Sequence, residues 1–303
     1  MIPFEPAYIQ TFRTGKLRGK IETAKNILMD CALCPRQCRV NRTAGEKGIC
    51  RTGEKAMVSS FSPHFGEEAP LVGRYGSGTI FFTHCSLLCF FCQNYDISHE
   101  GWGSEVTDAK MASIMLDLQD RGCHNINFVT PTHVVPQILS AVHMAAEKGL
   151  TIPLVYNCGG YEQIETLQLL DGVIDIYMPD FKFWDSGIAE TACQAPDYPE
   201  IARQTLIEIH RQVGDLIIDS DGIARRGLLV RHLVLPQNLA GTRDIMRFIA
   251  RSISTGTYVN IMSQYRPCGR AYEAPGLDRR PTPAEFRAAL AAAREEGITR
   301  LDR

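Results

Sequence analysis

The sequence has 303 residues, a formal net charge of −2 and 45% apolar residues. That length suffices for one large domain with a small appendage. Its apolar content and its 22% of charged residues are typical of a globular protein. No apolar run reaches the ~18 residues of a membrane span, so no membrane partner is expected.

The N-terminus, Met-Ile-Pro-Phe-Glu-Pro, lacks the basic-then-apolar layout of a secretion signal. Eleven cysteines without such a signal indicate a reducing compartment, where thiols serve metals or catalysis rather than disulfides. We therefore predict a cytoplasmic protein. Residues 11–55 contain eleven Lys/Arg and four Asp/Glu, a net charge of +7 (11 − 4). A basic segment can bind RNA, although it is more often a solvated face.

A helix is predicted around Gly19–Met29, and a cysteine-rich segment follows it. The pattern there is C-x2-C-x3-C-x11-C, formed by Cys31, Cys34, Cys38 and Cys50. Four cysteines form a complete ligand set, either for structural Zn²⁺ or for a second iron–sulfur cluster. The spacing does not choose between them, and chance clustering is the third alternative. We predict a cysteine-rich extension over residues 1–60 and a main domain over residues 61–303.

Residues 56–78 are expected to form loops. They include His64-Phe-Gly-Glu-Glu-Ala-Pro and several glycines, which allow a close approach of the backbone to neighbouring groups. His64, Glu67 and Glu68 could line a site. An exposed polar loop is the simpler interpretation for each of them.

From residue 79 onwards, strand and helix patterns alternate. Apolar runs that read as strands buried on both faces cover residues 79–83, 125–129, 152–156, 173–177, 228–235 and 257–262. Helical periodicity is predicted near residues 111–118, 135–142, 161–170, 197–213, 242–253 and 284–296. This alternation predicts a parallel α/β array, either doubly wound or a full or partial barrel.

Three cysteines follow the first of these strands with the spacing C-x3-C-x2-C: Cys85, Cys89 and Cys92. Three thiolates on so short a loop can bind three irons of a [4Fe-4S] cluster and leave the fourth iron open. An open metal position indicates chemistry rather than structure. The alternatives are a zinc site or three unrelated buried thiols.

Polar residues collect where the other predicted strands end, which is the edge at which parallel sheets bind ligands. They include Thr130, Asn157, Asp180, Lys182 and Arg231. Arg231 lies inside an apolar strand and should meet a carboxylate; Asp175 and Asp180 are the candidates within the chain. Asp180 and Lys182 share one face of an extended segment, and a mutual salt bridge is the alternative to ligand binding.

The remaining residues with chemical potential are less specific. His133 could donate a proton, cap a helix or lie in the core. Cys158 could relay a radical, but a small buried thiol is the simpler interpretation. Cys123, Cys193 and Cys268 are interpreted as structural.

The three-cysteine spacing, with Phe91 before the third cysteine, resembles the radical S-adenosylmethionine (SAM) enzymes. In that superfamily, SAM chelates the open iron and is cleaved to a 5′-deoxyadenosyl radical. Many members have Asn after the first cysteine, whereas this chain has Ser86. The resemblance implies that Cys85, Cys89 and Cys92 hold the cluster.

Longer motifs resemble the PflX-type proteins, relatives of the pyruvate formate-lyase activating enzyme. These motifs are His64-Phe-Gly-Glu-Glu-Ala-Pro, Gly76-Ser-Gly-Thr-Ile-Phe-Phe, Cys92-Gln-Asn-Tyr, Asn127-Phe-Val-Thr-Pro-Thr-His, Asp175-Ile-Tyr-Met-Pro-Asp-Phe-Lys and Arg231-His-Leu-Val-Leu-Pro. The resemblance implies a partial (β/α)6 barrel, SAM contacts from Asp180 and Lys182, and a further contact from Arg231. The relatives' Gly-Gly-Glu motif, which anchors the SAM ammonium group, is replaced here by Thr130-Pro-Thr-His133.

Taken together, these observations predict a radical SAM enzyme whose cofactors are a [4Fe-4S] cluster and SAM. Asp180, Lys182, Arg231, Thr130 and Asn157 are predicted to position SAM. The expected partners are a flavodoxin- or ferredoxin-like electron donor and a glycyl-radical enzyme that the protein activates. The alternatives are a radical SAM enzyme that modifies RNA or a small molecule, and a non-catalytic zinc or iron–sulfur module.

Overall fold

The computed structural model describes residues 4–302. Residues 1–3 and residue 303 lie outside that range. Residues 1–3 begin the segment that is predicted not to be a secretion signal. The strands are β1 (Ala56–His64), β2 (Ser77–Phe82), β3 (Ser104–Val106), β4 (Ile126–Val129), β5 (Leu154–Cys158), β6 (Ile176–Pro179), β7 (Ile217–Ile218), β8 (Ala224–Leu233) and β9 (Tyr258–Met262).

Eleven α-helices connect or flank these strands in residues 4–302. They are α1 (Ala7–Arg13), α2 (Lys16–Ile27), α3 (Ala69–Val72), α4 (Tyr95–Ser98), α5 (Asp108–Asp120), α6 (Val135–Glu147), α7 (Ile164–Leu170), α8 (Ser186–Cys193), α9 (Tyr198–Val213), α10 (Thr242–Phe248) and α11 (Pro283–Glu295). A π-helical turn, Ile249–Ile253, extends α10, so the helix predicted over 242–253 changes its hydrogen-bonding pattern halfway.

Six strands form the parallel part of the sheet, in the order β2-β4-β5-β6-β8-β9. They correspond to the six predicted apolar runs. β1 and β3 add antiparallel strands outside β2, and β7 pairs antiparallel with β8. The chain therefore has a mixed α/β fold with a parallel centre, as the alternation of strands and helices predicts.

The expectation of loops over residues 56–78 is wrong. β1 occupies Ala56–His64 and pairs with β2, and α3 follows it. β1 contains Pro63, which cannot donate a backbone hydrogen bond and is tolerated mainly in edge strands. Its serines, its proline and its polar neighbours interrupt the apolar pattern from which a strand is predicted. β1 also crosses residue 60, where the predicted extension ends; the division into two domains stays a prediction.

Both faces of the parallel strands are buried. On one face, side chains such as Phe128, Tyr156 and Tyr177 pack against the helices in the main core. On the opposite face, a smaller cluster contains Val155 and Met178, with Leu71 of α3 packed against it. The near-continuous apolar runs follow from this double burial.

Candidate active site

The loop after β2 carries the three cysteines, and we call residues 83–93 the cluster loop. Its backbone is held in an unusual shape, since His84 and Leu88 have positive φ angles of 65° and 53°. The amide of Leu87 donates a hydrogen bond to the Cys85 sulfur at 3.3 Å. Burial raises the pKa of the Cys85 thiol to about 12, so metal binding at this loop must displace protons.

One cavity of about 260 Å³ adjoins all three cysteines. Side chains that follow or end the parallel strands line it: Phe81, Val129, Asn157, Asp180, Arg231 and Met262. These residues come from β2, β4, β5, β8 and β9, and Asp180 directly follows β6. Since all of them line one cavity, the sheet must curve around it. Thr130 and Lys182 also line it. The structure thus brings together every predicted SAM-positioning residue and the three cysteines.

Asp180 is the centre of the charged network in this cavity. Its Oδ2 accepts from Lys182 Nζ at 2.5 Å, and its Oδ1 accepts from Arg231 Nε at 2.8 Å. Burial alone would raise the pKa of Asp180, but the two cations lower it below its ordinary value. Burial opposes the charge on Lys182, yet the carboxylate of Asp180 raises its pKa. All three groups are therefore ionised in the absence of a ligand.

Arg231 has the carboxylate partner that its position demands, and that partner is Asp180. Its Nη2 also donates to Asn157 Oδ1 at 2.8 Å. Asp175 lies elsewhere: its carboxylate accepts from the backbone amides of Ala7 and Leu154 at 2.8 and 3.0 Å. Burial raises the pKa of Asp175 to about 7.

Two more carboxylates face Arg231, and both belong to residues that the sequence suggested could line a site. Glu67 Oε2 lies 3.9 Å from Arg231 Nη1, and Glu68 Oε1 lies 4.0 Å from Arg231 Nε. Their side chains are only 7% and 3% exposed, so the expectation of an exposed loop is wrong for both. Glu68 also accepts from Asn260 of β9 at 2.9 Å, which joins the α3 segment to the far end of the parallel strands.

His133 is a core histidine. It is buried, and its Nε2 lies 2.9 Å from the Thr83 carbonyl oxygen, to which it donates. Burial lowers the pKa of His133 to about 3, so the ring is neutral. It supports the start of the cluster loop rather than the cavity.

Glu162 is a buried acid that pattern reasoning missed. It accepts from Thr132 Oγ1 at 2.8 Å and from Tyr156 Oη at 2.9 Å. Burial raises the pKa of Glu162 to about 7. Its position a few residues after β5, at the ligand-binding edge of the sheet, was the signal available in the sequence.

The four N-terminal cysteines line a second, much smaller cavity of about 10 Å³. We call residues 31–53 the knuckle. Two of its arginines connect it to later parts of the chain. Arg36 donates to the carbonyl oxygens of Ser86 and Leu87 in the cluster loop at 3.0 and 3.3 Å. Arg42 Nη1 donates to the His133 carbonyl oxygen at 2.8 Å.

Within residues 4–302, no group of three or more His, Cys, Asp or Glu side chains is arranged to hold a metal ion as it stands. Binding at either cysteine segment therefore requires side-chain rotation that draws the sulfurs together. The donor set of the cluster loop fits an iron–sulfur cluster: three thiols adjoin one cavity, and a backbone amide donates to one sulfur. The other cysteines outside the knuckle, Cys123, Cys158 and Cys193, are buried, and Cys268 is half-buried.

Comparison with known structures bears on the fold. The structure is similar to the crystal structure of a radical SAM methyltransferase from Sphaerobacter thermophilus, with a TM-score of 0.50 and 13% sequence identity. The match covers 73% of this chain and 64% of that one, less than two thirds of its length. The fold of this chain is thus similar to the fold of a radical SAM protein. No protein-family model matches the sequence.

The sequence relationship is closer. The chain is 35% identical over 289 residues to the uncharacterized protein MJ0674 of Methanocaldococcus jannaschii, covering 92% of this chain and 78% of the relative. This chain belongs to the same family as MJ0674. None of the helices in residues 4–302 is long and apolar enough to span a membrane; the cytoplasmic location stays a prediction.

Proposed function

We propose that this chain is a radical SAM enzyme built on a partial (β/α)6 barrel. The observation that carries the proposal is the shared cavity: Cys85, Cys89 and Cys92 adjoin the same space as the Asp180–Lys182–Arg231 network. When bound, a [4Fe-4S] cluster would supply one electron to SAM, whose cleavage gives methionine and a 5′-deoxyadenosyl radical that removes a hydrogen atom from the substrate.

The residues of the cavity have distinct tasks in this proposal. The thiolates of Cys85, Cys89 and Cys92 would hold the cluster. Arg231 and Lys182 offer cations to the SAM carboxylate, since an arginine or lysine pairs well with a carboxylate. Asp180, Asn157 and Thr130 offer oxygen acceptors to the SAM ammonium group or to its ribose hydroxyls.

A ligand must compete with the ion pairs already present. Asp180 accepts from both cations, so the SAM carboxylate would share Arg231 and Lys182 with Asp180 through their remaining N–H donors. The desolvated surroundings strengthen each remaining interaction. The apolar walls, including Phe81 and Met262, help to exclude water from the reacting atoms.

The finer proposal is that the substrate is a glycine of a partner glycyl-radical enzyme, with a flavodoxin- or ferredoxin-like protein as electron donor. It rests on the resemblance of the longer motifs to the PflX-type proteins. Methyl transfer is a second candidate, because the similar solved structure is that of a methyltransferase. Modification of RNA is a third, suggested by the basic charge of residues 11–55.

The test is anaerobic reconstitution with iron and sulfide, reduction with dithionite, and detection of 5′-deoxyadenosine by mass spectrometry. Wild-type protein and Cys123→Ala should form it; Cys89→Ala should not. A fully loaded cluster that yields no 5′-deoxyadenosine, or zinc bound at the cluster loop, would overturn the proposal. A glycyl-radical signal by electron paramagnetic resonance in mixtures with a candidate partner would then select among the substrate classes.

A further inference from the structure

We propose that Cys31, Cys34, Cys38 and Cys50 bind a single zinc ion, which locks the knuckle against the cluster loop. The size of the cavity is the first reason. About 10 Å³ is roughly the space of one water-sized sphere. A single ion fits between four sulfurs that close in on it, whereas a cube of four irons and four sulfides does not.

The packing beside one of these sulfurs is tight. A Cβ atom added to Gly48 would lie 2.6 Å from the Cys38 Cβ and 2.7 Å from its sulfur. The two cysteine-bearing halves of the knuckle are thus in close contact at this point. Leu33 and Val40 close the cavity with apolar side chains.

The buried guanidinium of Arg42 is the second, independent reason. Arg42 is only 1% exposed, and no Asp or Glu of the described residues pairs with it. Its hydrogen bonds go to the carbonyl oxygens of Gly53 (2.9 and 2.7 Å) and His133 (2.8 Å). A buried cation without a counter-charge is costly. Its Nη1 lies 3.9 Å from the Cys31 sulfur, so metal-bound thiolates would supply the missing negative charge.

A backbone amide already points at one of the four sulfurs: Ile49 N donates to Cys38 Sγ at 3.4 Å. A sulfur that binds a metal can keep accepting this hydrogen bond, which would help to orient the ligand.

The knuckle also needs stabilisation from outside its own core. That core contains Leu28, Cys31 and Leu33, with Ile27 and Val40 packed against it. So small an apolar cluster cannot by itself stabilise more than twenty residues that lack helices and strands apart from one 3-10 turn. Binding of a metal would provide the stabilising free energy.

Zinc is the expected metal because four thiolates form a closed tetrahedral site with no open position. For such a ligand set Zn²⁺ also binds more tightly than Fe²⁺. The role is structural: the ion fixes the segment between Cys34 and Cys38, from which Arg36 reaches the cluster loop. Arg36 also donates to the Cys193 carbonyl oxygen at 2.6 Å, so it joins three parts of the chain.

The experiment is a metal count by mass spectrometry on full-length protein purified without oxygen. The triple variant Cys85→Ala/Cys89→Ala/Cys92→Ala removes the cluster loop's thiols and should retain one zinc per chain. Cys34→Ser and Cys50→Ser in the wild-type background should lose that zinc, and Cys123→Ser, a buried cysteine outside both segments, should keep it.

If the knuckle variants fail to fold, X-ray absorption at the zinc edge of the triple variant decides. Four sulfur ligands at about 2.3 Å are expected. Additional iron and sulfide in the triple variant, or a zinc-free knuckle, would overturn the proposal. The result is independent of SAM cleavage: an inactive wild-type protein with one zinc would refute the proposed function and leave this site standing.

Discussion

The cluster loop and the knuckle are both short cysteine-rich segments, yet their surroundings differ in every respect that matters for chemistry. The cluster loop has three cysteines beside a cavity of about 260 Å³, and two cations and a carboxylate line that cavity. The knuckle has four cysteines around about 10 Å³, with two apolar side chains, a buried arginine and the neutral His133 in its walls. An incomplete ligand set next to polar space suits catalysis, whereas a complete set in a closed apolar space suits structure.

The largest effect should come from removing one sulfur of the cluster loop. Cys89→Ala leaves two thiols, too few to retain the cluster, so bound iron and 5′-deoxyadenosine formation should both be lost completely. Zinc in the knuckle should not change. Iron analysis and product detection measure the two outcomes, with Cys123→Ala as control. Retained activity in Cys89→Ala would show that the cluster loop does not hold the catalytic cluster.

The next effect concerns the polar side of the cluster-loop cavity. Asp180→Asn leaves Lys182 and Arg231 buried without their shared counter-charge, which should lower the free energy of unfolding by about 3–5 kcal/mol. SAM binding should weaken as well, because the variant lacks the charged acceptor that Asp180 offers to the SAM ammonium group or ribose hydroxyls. Urea unfolding and equilibrium dialysis would measure both changes.

The matched control is Asp117→Asn, which breaks the exposed Asp117–Arg121 pair (3.3 Å). It should change the free energy of unfolding by about 1 kcal/mol at most. An equal, small effect of both variants would mean that the Asp180 network is no more than a surface ion pair.

The next prediction concerns Glu162, which lies close to the contact between the knuckle and the rest of the chain. Its partner Thr132 directly precedes His133, whose carbonyl oxygen accepts from Arg42. The pKa of Glu162, about 7 in the folded chain, lies above the ordinary value of 4.5. The folded state therefore holds this proton more tightly. That contribution is complete below about pH 4.5 and is lost as the pH rises through about 7.

Glu162→Gln should abolish this pH dependence. Between pH 4.5 and pH 8 the wild type should lose roughly 3 kcal/mol more stability than the variant, measured by urea unfolding at a series of pH values. Glu165→Gln, at an exposed position, is the control and should follow the wild type. Parallel profiles for wild type and Glu162→Gln would show that the carboxyl group is not buried as described.

The smallest effect should come from loosening the link between the segments. Arg36→Lys keeps the charge but cannot reach the carbonyl oxygens of both Ser86 and Leu87. Losing about 1.4 kcal/mol of hydrogen bonding should speed the loss of iron to a chelator about tenfold. Arg39→Lys, whose parent residue pairs with Asp30 on the surface, should behave as wild type. Unchanged iron release in Arg36→Lys would show that the contact of Arg36 with the cluster loop does not help to retain the cluster.

Local pattern alone determined the six parallel strands and the loop with three cysteines. A strand buried on both faces appears as an apolar run, and ligands on one short loop are neighbours in any fold. The gathering of Thr130, Asn157, Asp180 and Arg231 followed from one further rule, that the ends of parallel strands meet at one edge.

Only the tertiary structure decided which residues complete these sites. Glu67 and Glu68 contact Arg231 across a large sequence separation, and β1 becomes a strand because β2 offers it an edge. The same holds for Arg36 and Arg42, which look like ordinary surface cations in a basic segment. Their partners are backbone carbonyl groups, several of them distant in the chain, and a carbonyl group carries no signature in the sequence.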